Sequence, residues 1–233
     1  YAYVFEPHHG HPQWHAGFLG RILIAAAIGS GSVAPKPDHG RGGQFPGLDI
    51  VEVGVERGDF ASRLLSLLVD EVGVPVRQYT LVDTWAVSDT RFYVQDKRTD
   101  VDHAQNLAQA TQRILRGWPG RARFLHVHSL MAARWLRNDA EQADFVFIDA
   151  RHDYDSVWDD LVAWWPVVKV GGLFAGHDYV SSADRMNVKR AVDEFVFSLG
   201  LSELLVAPIR RCWLLPKASD APPPEQPAWL RAV

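Results

Sequence analysis

From Leu48 onward the apolar positions alternate between two kinds of run. "LDIVEVG" is a short, almost continuous apolar stretch that stops at Gly54, the mark of a buried strand. "DFASRLLSLLVDEVG" follows with Phe60, Leu64, Leu67 and Leu68 at helical spacing. The pair then repeats. "RQYTLVD" predicts a second strand. "RFLHVHS" predicts a third, after an insertion carrying the helical stretch "HAQNLAQATQRIL". "MAARWLRND" reads as helix and "DFVFID" as a fourth strand. "DSVWDDLVAWWPVV" is a helix with Trp158, Leu161 and Trp165 at i, i+3, i+7. "GGLFAGHD" is a fifth strand opened by a glycine turn, and "VKRAVDEFVFSLG" is a helix ended by glycine. The last two apolar runs, "ELLVAPI" and "CWLLPK", are too close for a parallel crossover, so they should pair antiparallel.

Strands alternating with helices predict an α/β fold, a doubly wound, Rossmann-like sheet that is mostly parallel and covered on both faces. Three segments are expected: an N-terminal extension or lid over residues 1–47, a main domain over 48–216, and a proline-rich, loosely held tail over 217–233. Right-handed crossovers put the loops after the parallel strands along one edge, where ligands of such sheets bind. Gly54, Asp83, Ser129, Asp149 and the pair His177–Asp178 each stand at the end of a predicted strand. They are scattered in sequence and are expected to converge in space.

Composition narrows the function classes. The chain has 233 residues and a net charge of −4, which disfavours nucleic acid as the main partner. One cysteine, Cys212, excludes an internal disulfide and a cysteine-based zinc site, which suits a cytoplasmic setting. The apolar run Ile22–Gly29 is far shorter than the ~20 residues a membrane span needs. A short buried or amphipathic helix is expected there, and no membrane partner.

"VEVGVERGDFA" outlines a nucleotide-binding turn, with a strand, Gly54, Gly58 and then a helix. It is not the dinucleotide fingerprint, because Glu56 holds the second glycine position. A glutamate there would repel a pyrophosphate, so a ligand without phosphate fits better. A plain strand–turn–helix is the structural alternative. Asp83 either accepts hydroxyl bonds from a ribose or caps a turn. Glu52 either meets the positive end of a ligand or pairs with an arginine. "FVFIDARHDYD" sends a buried strand into Asp149, His152, Asp153 and Asp155, which is either a reaction site or a capped helix start.

Together these motifs resemble the class I S-adenosylmethionine-dependent methyltransferases, in particular the catechol-type and macrocin-type O-methyltransferases. Glu52-x-Gly54-x-x-x-Gly58 is similar to their first motif and "LVDTW" to their second. "FVFIDARHDYDSVWDDL…VKVGGLFAGHDY" is similar to their fourth and fifth strands. The resemblance implies a seven-stranded sheet with an antiparallel last strand. It implies that Glu52, Gly54 and Gly58 cradle the methionine part of the cofactor, that Asp83 holds the ribose, and that His128 and Ser129 lie near the adenine. Asp149 would face the sulfonium, and His152 would stand where such enzymes carry the base that deprotonates the acceptor. Asp149, His177 and Asp178 would bind a divalent ion or the acceptor. His177 replaces an oxygen ligand, so iron, manganese or zinc suits the set better than magnesium, and a metal-free site with His177 as second base stays open.

The expected function is methyl transfer to an oxygen of a small molecule, with a homodimer among the expected states. An NAD(P)-dependent oxidoreductase and a non-catalytic nucleoside-binding protein are the alternatives. His8, His9, His11 and His15 read as a solvated segment or lid rather than a metal site. Tyr93 and Lys97 have the spacing of short-chain dehydrogenases, but in the wrong place for that fold. Trp85, Phe92 and Tyr93 either line an acceptor pocket or simply pack.

Overall fold

The computed structural model describes residues 12–29, 47–86, 102–180, 186–201, 204–207 and 211–224. His8, His9, His11, Phe92, Tyr93 and Lys97 lie outside the described residues, as does the side chain of His15. Helix α1 (Pro12–Gly29) precedes strand β1 (Leu48–Val53). Helix α2 (Asp59–Leu65) runs on as a π-helical segment over Ser66–Val72 and leads to β2 (Val76–Asp83). Then come α3 (His103–Gly117), β3 (Ala122–His126), α4 (Ser129–Asn138) and β4 (Ala143–Ile148). Helix α5 (Tyr154–Trp164) is followed by a 3-10 turn and β5 (Val168–Gly176). Helix α6 (Met186–Ser198), β6 (Leu205–Ala207) and β7 (Cys212–Pro216) complete the chain.

The seven strands form one sheet in the order β3-β2-β1-β4-β5-β7-β6. The five strands β1 to β5 are parallel, and β7 pairs antiparallel with both β5 and β6. The expected sheet is therefore present, including the close antiparallel pair at its end. Chain order reverses between β1 and β4, the switch point where α/β sheets open a crevice. Strand β5 starts at Val168, earlier than the glycine turn suggested, and Gly171 (φ 84°) lies inside it.

Each face of the sheet carries its own core. Leu48 and Ile50 face the side covered by α1, α2 and α3, with Phe60, Tyr79, Leu81 and Phe147. Val51 and Val53 face the side covered by α4, α5 and α6, with Trp158, Trp164, Phe174 and Phe195. The period of two along β1 produces this division. It also places Glu52 on the same face as Ile50, inside the first core.

The described part of the N-terminal segment packs into the domain. Ala16, Leu19 and Leu23 are fully buried in the first core, at spacings that form one helix stripe. Gly20 lets α1 approach closely, because a Cβ there would come within 2.6 Å of Leu67 and 2.9 Å of Leu64. The start of the tail is tied to the domain. Lys217 is buried and donates to the Val168 carbonyl at 2.9 Å, and the Trp165 indole donates to the Ala221 carbonyl at 3.0 Å. No helix among the described residues is long and apolar enough to cross a membrane.

Candidate active site

The loops after β1, β2, β4 and β5 meet at one edge of the sheet. Three non-glycine residues on these loops, Glu56 (φ 50°), Trp85 (φ 37°) and Asp178 (φ 55°), adopt the left-handed conformation. Such strain tends to collect at functional sites. Gly54 crosses next to β4, and Asp149 N–H donates to the Val53 carbonyl at 2.8 Å. These contacts bring Glu52, Asp83 and Asp149 to the ends of three neighbouring strands.

Asp83 is engaged by the protein itself. Its Oδ2 accepts from Val55 N–H at 2.8 Å and Glu56 N–H at 2.9 Å, and its Oδ1 accepts from Trp85 N–H at 2.8 Å. The Trp85 indole donates to the Glu56 carbonyl at 2.8 Å, which closes the loop pair. The amides that a dinucleotide-binding turn would aim at a pyrophosphate therefore point at a carboxylate. Glu52 is buried and pairs with no arginine among the described residues; its Oε2 accepts from the Tyr79 hydroxyl at 2.8 Å.

The loops after β4 and β5 build a cluster of two carboxylates and two imidazoles. His152 Nε2 lies 3.0 Å from Asp178 Oδ2 and 3.8 Å from Asp149 Oδ1. His177 Nδ1 lies 3.5 Å from Asp149 Oδ2 and 3.6 Å from Asp178 Oδ1. Asp178 is almost fully buried. Burial works against the charge of Asp149, but the neighbouring imidazoles of His152 and then His177 outweigh it and hold the carboxyl down at about 2. Burial likewise opposes the His152 imidazolium, yet the carboxylates of Asp149 and Asp178 beside it raise it to about 9. His177 is raised for the same reasons, with burial again opposing and Asp149 prevailing. Ligand atoms of Asp149, His152 and Asp178 lie within 4.8 Å of one another, a spacing that could hold one metal ion. The metal-spaced triad thus contains His152, while His177, the histidine expected in it, lies against the same two carboxylates.

Asp153 is the cap that the sequence alternative suggested, accepting from Ser156 N–H at 3.0 Å. Capping and cluster coexist because they use neighbouring residues. His128 caps α4, its Nδ1 accepting from Leu130 N–H at 3.3 Å. The Ser129 hydroxyl is held inside the fold, donating to Asp160 and accepting from the Trp164 indole at 2.8 Å. At the adenine position expected for it, Ser129 has only its backbone to offer.

Sequence reasoning missed what supports the cluster. The tripeptide His-Asp-Tyr occurs at both loops, as residues 152–154 and 177–179. Each tyrosine is held by α6. Tyr154 OH donates to Glu194 at 2.6 Å and Tyr179 OH donates to Asp193 at 2.5 Å. Arg190 and Lys189 stack over the same two rings, at 4.8 and 5.0 Å. Two adjacent residues of one helix thus fix both halves of the cluster. The repeated tripeptide was the available signal.

Asp160 yields a pH prediction. Burial, only partly offset by the Ser129 hydroxyl, raises its carboxyl to about 7 from an ordinary 3.8. A raised acid binds its proton more tightly folded than unfolded. Its stabilising contribution is present below about pH 3.8 and is lost as pH rises through about 7. Asp160→Asn should flatten this decline, leaving the variant more stable than the parent at pH 8 by about 2 kcal/mol in urea melts.

A seven-stranded sheet of this order, with an acidic rim at its switch point, defines a Rossmann-like methyltransferase fold. The sequence matches the profile of a family described as "Methyltransferase domain" over residues 51–179, more than half of the chain, and the chain belongs to this family. It is an S-adenosylmethionine-dependent methyltransferase of class I. No curated protein matches the sequence. Solved structures of the same fold include the O-methyltransferase NovP, at 21% identity over 88% of this chain and 80% of that one, with a TM-score of 0.53. The calicheamicin methyltransferase CalS11 is similar at 16% identity over 87% and 78%, with a TM-score of 0.57. An O-methyltransferase from Bacillus cereus, solved with S-adenosylhomocysteine, is similar at 14% identity over 86% and 89%, with a TM-score of 0.50.

Proposed function

We propose that this protein methylates a hydroxyl oxygen of a small molecule. The observation that carries the reading is the juxtaposition at 3.0 Å of His152 with Asp178, beside Asp149 at the switch point of the sheet. The residues present fit the cofactor. Asp83 and Asp149 make the rim acidic and Glu52 can ionise to meet a cation, which suits a cationic sulfonium nucleoside and repels a pyrophosphate. S-adenosylmethionine supplies an electrophilic methyl group there, so the protein must position the acceptor oxygen in line and remove its proton. We assign Glu52, Gly54 and Gly58 to the methionine part, Asp83 to the ribose, and His128 with the Ser129 backbone to the adenine. His152 takes the proton in its neutral form, Asp178 orients the imidazole, and Asp149 and His177 hold the acceptor side. A hydroxyl acceptor suits an imidazole base, and the similar CalS11 is described as a TDP-rhamnose 3'-O-methyltransferase, which is consistent with a small molecule.

The Asp149–His152–Asp178 triad favours a second arrangement. A divalent cation held by these three would supply positive charge that acidifies an acceptor hydroxyl. His152 would then be a ligand, and His177 would be the imidazole that takes the proton. The mixed His and carboxylate set suits manganese, iron or zinc.

Thermal-shift titrations test both statements. At a hundredfold excess over its Kd, S-adenosylhomocysteine should raise Tm by about 5–10 °C, and NAD should not. Stabilisation by NAD alone would reverse the reading. Mn2+ should raise Tm in the parent protein and not in Asp178→Asn; equal shifts in both would remove the metal from this site.

A further inference from the structure

Glu52 differs from the other two carboxylates of the rim. Asp83 accepts three backbone N–H groups, and Asp149 is paired with two imidazoles. Glu52 is 1% exposed, accepts one hydroxyl bond from the fully buried Tyr79, and meets no cation among the described residues. The charged groups facing it are all acidic: Asp149 on the loop after β4, Asp83 at the end of β2 and Asp59 at the start of α2. A buried carboxylate with one donor and no counter-ion is too costly to keep, so the group takes up a proton. Burial, first of all, and then these acidic neighbours hold the Glu52 carboxyl well above its ordinary range, against the opposing bond from Tyr79.

A carboxyl with one donor still has room for N–H donors. Of the two cations on S-adenosylmethionine, only the ammonium can donate a hydrogen bond. We propose that Tyr79 is a positioning residue that holds Glu52 for the cofactor's ammonium, and that cofactor uptake expels one proton from Glu52 to solvent. This rests on the reading of Glu52 as part of the methionine site. The balance is simple. The ammonium stays protonated, Glu52 passes from carboxylic acid to carboxylate, and the Tyr79 hydroxyl donates to it before and after. Tyr79 touches Glu52 rather than the ligand, and it supplies the hydrogen bond that makes the ionised form tolerable in a site closed to water.

Calorimetry with S-adenosylhomocysteine at pH 7 tests this, because that ligand keeps the ammonium and lacks the sulfonium. Titrations in phosphate, HEPES and Tris separate the proton from the binding heat. The parent protein should release about one proton per ligand bound. Glu52→Gln should release none. Tyr79→Phe, which keeps the ring, should bind S-adenosylhomocysteine about ten- to a hundredfold more weakly. It should bind 5′-methylthioadenosine, which has no amino-acid portion, within about twofold of the parent. Binding without proton release, or a Tyr79→Phe variant weakened equally toward both ligands, overturns the inference and leaves the cofactor reading standing. Failure of the parent protein to bind S-adenosylhomocysteine overturns both.

Discussion

Replacing His152 with alanine should lower turnover by about 10²- to 10⁴-fold, the usual contribution of a positioned proton-transfer group. Affinity for S-adenosylhomocysteine should stay within about twofold of the parent, because His152 contacts the cluster and not the Gly54 turn. Turnover is read as S-adenosylhomocysteine formed on whichever hydroxyl the parent methylates in a panel of phenols and sugars. The pH profile makes the test specific. Only a neutral imidazole can take a proton, and the two carboxylates lift His152 to about 9. In the absence of divalent ions, kcat/KM should rise about tenfold per pH unit and level off near pH 9. The variant should lose that limb. The same pairing has a signature in stability. A raised imidazole stabilises the fold fully below its ordinary 6.5, and the contribution is lost as pH rises through about 9. His152→Ala should therefore narrow the stability difference between pH 6 and pH 10. Unchanged turnover in the variant would remove His152 from the chemistry.

Much of this site could be read from the sequence because a parallel sheet converts strand ends into a single edge. Gly54, Asp83, Ser129, Asp149, His177 and Asp178 were placed by that rule alone; the structure gathers them along one edge, except that the Ser129 hydroxyl turns inward to Asp160 and Trp164. Partner choice was another matter. Glu52 was read as an ion-pair partner or a ligand group, yet it meets Tyr79, 27 positions away. The Ser129–Asp160 and Tyr154–Glu194 bonds span 31 and 40 positions. Such pairs depend on strand register and helix rotation, which periodicity does not fix. Asp83 shows the same limit in another form. Its place at the end of β2 was legible, but its grip on the β1 loop depends on the left-handed backbone at Glu56 and Trp85. Helix α1 was expected only over Ile22–Gly29; its first turns from Pro12 and its stripe of Ala16, Leu19 and Leu23 escaped because apolar residues on every side blurred the period.

Gly54→Ala should be the most damaging single methyl in the domain. The residue has φ 86°, a conformation that costs an alanine about 1–2 kcal/mol by itself. Space adds a larger penalty. A Cβ at Gly54 would stand 2.0 Å from the Asp149 carbonyl oxygen and 2.9 Å from the Cα of Ala150, and backbone cannot rotate away as a side chain can. The ends of β1 and β4 would have to part, breaking the 2.8 Å bond from Asp149 N–H to Val53 and displacing Asp149 from both histidines. Overpacking of this kind together with the backbone strain should cost more than about 4 kcal/mol. In a chain of this size that lowers Tm by about 10 °C or more. Gly73→Ala is the matching control. Gly73 has φ 78° but no atom within 4 Å of its would-be Cβ, so it should lose only the conformational part, about 1–2 kcal/mol. Thermal melts of the two variants separate the terms, and S-adenosylhomocysteine titration shows whether the β1–β4 contact shapes the cofactor site. Equal Tm losses in the two variants would mean that the strand ends yield freely. The crevice would then not owe its shape to the absence of a side chain at Gly54.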